Sequence, residues 1–108
     1  MGNEEIQNTK EKVMTLQVGF LIIGGPNDQA YGTLDYPRSL FVWTDKDKAE
    51  AFLNKNLDPS EDKVLEQTRE QISTFANKYY QSIRFDFQTE DPGPYLNMAV
   101  GNYLSLNN

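Results

Sequence analysis

The clearest hydrophobic pattern in this chain starts at Val13. Met14, Leu16, Val18, Phe20 and Ile22 alternate with Thr15, Gln17 and Gly19, until Leu21 and Ile23 make the second face apolar too. Such period-two alternation predicts a strand, half-buried at its start and covered on both faces at its end. Gly24-Gly25-Pro26-Asn27-Asp28 stops it with turn residues. A loop follows to about Ser39, and Leu40 to Trp43 reads as a second, short strand. Ahead of all this, residues 1–12 (MGNEEIQNTKEK) show no apolar period and predict a flexible N-terminal tail, with a single domain over 13–108.

Two helices are expected next. Thr44 is a candidate N-cap with Asp47 as the partner of a capping box, and Ala49, Phe52, Leu53 and Leu57 recur at helical spacing over 45–57. Asp58-Pro59-Ser60-Glu61 looks like a second helix start, with an acid at the cap and proline at the first helical position. Leu65, Thr68, Ile72, Phe75, Ala76 and Tyr79 continue it as one stripe to about Tyr80. Beyond it, Ile83, Phe85 and Phe87 alternate with Arg84, Asp86 and Gln88. The turn 89–94 (TEDPGP) and a strand from Tyr95 to about Leu106 complete a β-hairpin. The expected order is β-β-α-α-β-β. That is an α+β fold with a single four-stranded, mostly antiparallel sheet and two helices packed on one face.

Composition narrows the chemistry. The chain of 108 residues contains no histidine and no cysteine, and its net charge is −6. Histidine and cysteine supply most general acid–base catalysts near neutral pH, most thiol nucleophiles and most transition-metal ligands. Their absence points to binding rather than catalysis, with no cofactor and no metal expected. A pI near 4.5 opposes nucleic-acid binding and docking on anionic membranes, both of which need clustered Lys and Arg. The acids are spread along the chain, so a dense carboxylate track imitating DNA is not visible in the linear sequence. No apolar run approaches the ~20 residues of a membrane span, and residues 1–12 lack the hydrophobic stretch of a signal peptide. A cytoplasmic protein is the expectation.

The candidate motifs mostly dissolve on inspection. The Gly24-Gly25-Pro26 turn has neither the glycine spacing nor the following lysine of a phosphate loop. Asp45, Asp47 and Glu50 begin like a calcium loop, but Glu50 stands where glycine is needed and Asn56 where the bidentate acid belongs. The loop acids Asp28, Asp35, Glu90 and Asp91 could pair only in space, as glycosidase carboxylates do. From Trp43-Thr44-Asp45 into Ala49 and Phe52, the chain resembles small α+β domains of bacterial secretion-associated and immunity-type proteins; no residue's role is carried over from that short stretch.

Loop 26–38 stands out, because tyrosine and arginine are enriched in binding hot spots. Tyr31, Asp35, Tyr36 and Arg38 lie on it, with Glu90 and Tyr95 on a second loop. These six are the candidate partner-binding residues. The sheet face carrying Thr15, Gln17, Arg84, Asp86, Gln88 and Asn97 is the other candidate, left open or covered by a second copy. The favoured expectation is a small acidic protein-binding module, an inhibitor or immunity-type protein that masks a basic surface of a partner such as a nuclease. The alternatives are a small-ligand or carboxylate-based enzyme site near loop 26–38, and a homo-oligomeric structural component using the open sheet face.

Overall fold

The structure, a computed structural model, describes residues 2–15, 17–24, 29–33, 38–87 and 96–105. Along the chain run α1 (Gly2–Thr15), β1 (Val18–Gly24), β2 (Gln29–Ala30), β3 (Ser39–Val42) and α2 (Lys46–Asn56). They are followed by β4 (Lys63–Thr68), α3 (Arg69–Tyr79), β5 (Ser82–Phe85), β6 (Leu96–Ala99) and α4 (Val100–Ser105). The strands form two three-stranded sheets, an antiparallel one in the order β2-β1-β4 and a mixed one in the order β3-β5-β6. The fold is α+β, but the expected single four-stranded sheet with two helices is overturned. The sheets are joined where Phe20 and Trp43 exchange backbone hydrogen bonds of 2.9 and 2.8 Å, and again through residues 31–33, which follow β2 and bridge to β3 at Gly32↔Leu40.

The largest departure lies in residues 58–68. The turn residues Asp58 to Asp62 do not open a long helix: the amides of Glu61 and Asp62 return to the Asp58 carbonyl and the turn stops there. Lys63 to Thr68 then pairs with β1 in register from Ile23↔Lys63 to Val18↔Thr68. KVLEQT fits a two-residue period as well as a helical one, and the available edge of β1 decides between them. The helix starts at a better signal. The Gln71 amide donates to Thr68 Oγ1 and the Thr68 amide donates to Gln71 Oε1, a complete capping box.

Three smaller corrections follow the same logic. A helix, α1, stands where a loose tail is expected, and it uses residues 13–15 that the alternating pattern assigns to β1. Its C-terminal carbonyls on Val13 and Met14 accept from the buried Arg69 guanidinium, a cation placed where the helix dipole favours it. Asp45, not Thr44, caps α2 by accepting from the Asp47 amide at 3.1 Å. Finally, β5 and β6 pair antiparallel as the hairpin reading expects, but β6 gives way to α4 at Val100.

Alternate residues of β1 serve different cores. Leu21 joins Leu40, Val42, Ile83 and Phe85 against Ile72 and Ala76 of α3, Tyr103 of α4 and Val13 of α1. Ile22, on the other face, packs with Trp43 against Ala49, Phe52 and Leu53 of α2. On one side α2 covers β1, β4 and the Phe41–Trp43 end of β3, and on the other α1, α3 and α4 pack together against the sheets. Gly19 permits the approach of α3, since a Cβ there would stand 2.8 Å from Ile72 Cδ1 and 3.0 Å from Val42 Cγ1.

One residue ties these layers together. Asp86 leaves β5 in the left-handed region (φ 60°), uncommon for a residue with a Cβ. Its carboxylate accepts from the Thr44 amide at 2.8 Å and the Thr44 hydroxyl at 2.9 Å. Lys48 Nζ reaches it at 3.3 Å and the Thr9 hydroxyl at 3.5 Å. Thr44 thus turns inward to serve Asp86 instead of capping α2.

Candidate functional site

Tyr31 and Arg38 are the two candidate residues within the described part of the chain, and the fold separates them. Asp35, Tyr36, Glu90 and Tyr95 lie outside the described residues, as do Asp28, Gln88 and Asp91. The Tyr31 backbone is held between two strands, donating to the Ile22 carbonyl at 2.9 Å and accepting from the Phe41 amide at 3.1 Å. Its ring packs on the core beneath α2. Arg38 sits on the opposite side, its guanidinium 5.0 Å above the Tyr80 ring at the end of α3.

What Tyr31 meets instead is the acidic turn that precedes β4. Its hydroxyl donates to Asp62 Oδ1 at 3.1 Å. Asp62 is buried, and its other oxygen accepts from the Asp58 amide at 3.1 Å. Asp58 in turn accepts from the Ser60 amide at 2.9 Å and the Ser60 hydroxyl at 2.7 Å. This is an Asx-type turn, the alternative use of the residues that resemble a helix cap. Gly24 is required beside it, because a Cβ there would fall on Asp62 Oδ1.

The electrostatics follow from this packing. Burial, and then the hydrogen bond and negative charge of Asp62, with a further contribution from Glu61, push the Tyr31 phenol above its ordinary value. Tyr31 therefore remains a neutral donor at physiological pH. The hydrogen bonds from Ser60 hold the Asp58 carboxyl below the usual range. Asp58 and Glu61 are both exposed on the turn. The result is a fixed phenol beside three carboxylates, suited to receive ammonium or guanidinium groups.

The open-face reading survives only in part. Arg84 and Asn97 face each other across β5 and β6, on the side away from Ile83 and Phe85. The Arg84 guanidinium lies 5.8 Å from the Phe41 ring centre and 5.1 Å from that of Phe87. Thr15 ends α1 and Asp86 is turned into its buried network, so neither belongs to that face.

Other chemistries find little in the described residues. No group of three or more acids there could hold a metal ion, and no helix is long and apolar enough to cross a membrane. A cavity walled by Val13, Gly19, Val42, Ile72, Phe85 and Tyr103 measures about 10 Å³, room for one water at most. No protein-family model matches the chain, and no curated protein matches it at a level that marks a relative.

Sequence reasoning missed Asp58, Glu61 and Asp62 as neighbours of Tyr31, because a helical reading sends them away from the sheet. Asp-Pro-Ser is also a turn signal, and three acids within five residues, Asp58 to Asp62, could have flagged it.

Proposed function

We propose that this chain is a small acidic protein-binding module that engages a basic surface of a partner protein. The observation that carries the reading is the Tyr31 hydroxyl fixed on buried Asp62, with Asp58 and Glu61 exposed beside it. A rigid amphipathic ring next to preset carboxylates loses little entropy on contact with Lys or Arg. The net charge of −6 would speed encounter with a basic partner such as a nuclease, in the manner of an inhibitor or immunity-type protein. Asp35, Tyr36, Glu90 and Tyr95 belong to this proposal as further contacts, and a cytoplasmic setting is part of it.

The test uses the basic peptide Ac-KKYKK-NH2 and the 15N-labelled chain. Amide shifts should centre on Tyr31 and residues 58–62, weaken as salt rises, and shrink in Glu61→Gln and Asp58→Asn. Shifts that avoid this turn, or that ignore both substitutions, would remove the proposal. A second reading, self-association through the open face, is favoured by the Arg84 stack on Phe41 and Phe87. Sedimentation of the wild type beside Arg84→Glu checks it, since a dimer built there should dissociate in the variant.

A further inference from the structure

The face of the sheets that carries α3 presents a surface of different chemistry. Phe75, Tyr79 and Tyr80 form an aromatic ridge at the end of α3, with ring centres 5.1 Å apart for Phe75–Tyr79 and 5.8 Å for Phe75–Tyr80. Tyr79 is 46% exposed, one of the two large hydrophobic side chains so open among the described residues. A cation rests over each tyrosine: Arg38 at 5.0 Å from the Tyr80 ring and Lys78 at 5.3 Å from the Tyr79 ring. Arg38 is not a loose surface side chain. Its amide donates to Gln81 Oε1 at 2.7 Å, and its carbonyl accepts from the amides of Gln81 and Ser82. Among the described residues its buried Nε has no hydrogen-bond partner, and the ion pair formed there, Lys48–Asp86, involves neither Arg38 nor Lys78.

We infer that Arg38, Phe75, Lys78, Tyr79 and Tyr80 form a second docking surface, fitted to an acidic peptide segment of another protein that carries an aromatic side chain. Charge complementarity selects this occupant. Two cations with no ion pair among the described residues, Lys78 over the exposed Tyr79 ring and Arg38 over the buried Tyr80 ring, offer a bidentate guanidinium to an Asp or Glu, and the open Tyr79 ring offers a platform to a partner ring. Tyrosine and arginine are also the residue types that concentrate binding energy at interface centres. On a chain of net charge −6, an acidic segment is repelled elsewhere, so a local cationic ridge gives selectivity as well as attraction. The inference does not depend on the acidic turn, which lies on the other side of the sheets. Together the two surfaces would let one small module hold a basic and an acidic partner at once.

The experiment titrates Ac-EEYEE-NH2 into the 15N-labelled full chain. Expected are amide shifts at Arg38, Lys78, Tyr79 and Tyr80, with affinity reduced about fivefold or more in Arg38→Gln and in Lys78→Gln, and unchanged in Glu61→Gln. Near-UV circular dichroism checks the fold of each variant, and Lys78→Gln decides alone if Arg38→Gln is unfolded. Absence of shifts at millimolar peptide, shifts elsewhere, or a fully folded variant that binds like the wild type would overturn the inference. It would equally be overturned if sedimentation showed the ridge already covered by a second copy. The lysine peptide reports only on the acidic turn, so failure of either surface is read independently of the other.

Discussion

Asp86 and Asp62 are both acids with little solvent exposure, yet they serve opposite ends. Asp86 is surrounded by donors from three elements: Thr9 of α1, Thr44 before α2, and Lys48 within α2. Nearly all its acceptor capacity is committed to the protein, and its φ of 60° is tolerated because these contacts fix the residue. Asp62 accepts from one phenol and one amide, and its neighbours Asp58 and Glu61 face solvent. The first carboxylate is spent on the fold. The second holds a turn whose other two acids, Asp58 and Glu61, keep their charge in solvent. Two acids of similar burial thus differ in how far the rest of the fold draws on them, which the count and origin of their donors show.

That contrast can be broken in graded steps. Asp86→Ala should have the largest effect, a loss of about 3 kcal/mol, since several buried donors lose their acceptor and the left-handed backbone remains. Lys48 contributes little to this figure, being 45% exposed and screened. Asp86→Asn keeps an acceptor and tolerates that backbone, so about 1–2 kcal/mol is expected. Urea unfolding measures both, and equal losses would show that charge, not hydrogen-bond capacity, dominates.

Asp62→Ala comes next, at about 1–2 kcal/mol, because Tyr31 Oη and the Asp58 amide lose their partner. The same site gives a pH signature. Tyr31 holds its proton more tightly folded than unfolded, so the unfolded chain releases it first as pH rises. The stabilisation is present in full below the ordinary value of 10.0 and is lost as pH climbs through the raised folded value. Tyr80 and Tyr103, raised chiefly by burial, act in the same direction. Tyrosinate absorbance should therefore begin to rise later in the folded chain, and Asp62→Asn should bring one phenol back toward its ordinary range. An unchanged titration curve in Asp62→Asn would break the assigned Tyr31–Asp62 contact. The smallest effect belongs to Glu61→Gln, within about 0.5 kcal/mol of wild type on an exposed turn, while its effect on the basic peptide should be plain.

Local chemistry made some of this legible in sequence. The apolar alternation of β1 identifies a strand with both faces covered, and Leu21 and Ile22 do enter separate cores. The pairing of β5 with β6 follows from two alternating runs around a Pro-Gly-Pro turn. Residues 58–80 were misleading because a proline-containing turn and a helix stripe share a vocabulary. What decides β4 is its register with β1, a long-range fact that local periodicity does not contain. Likewise α1 is too polar to announce itself, and its place depends on Arg69 and Val13, contacts across more than fifty residues. Of the candidate site, Tyr31 was picked out by residue type alone. Its acidic surroundings come from the pairing of β4 with β1, which local periodicity does not contain.

The chain's single tryptophan lies at one of the two bridges between its sheets. Trp43 is fully buried, its indole N–H donates to the Phe87 carbonyl at 3.0 Å, and its backbone completes the bridge to Phe20. Parting the sheets would break that bridge and admit water to the ring. The protein thus carries an intrinsic fluorophore at its seam, and a red shift of that emission would report the sheets coming apart without any added label.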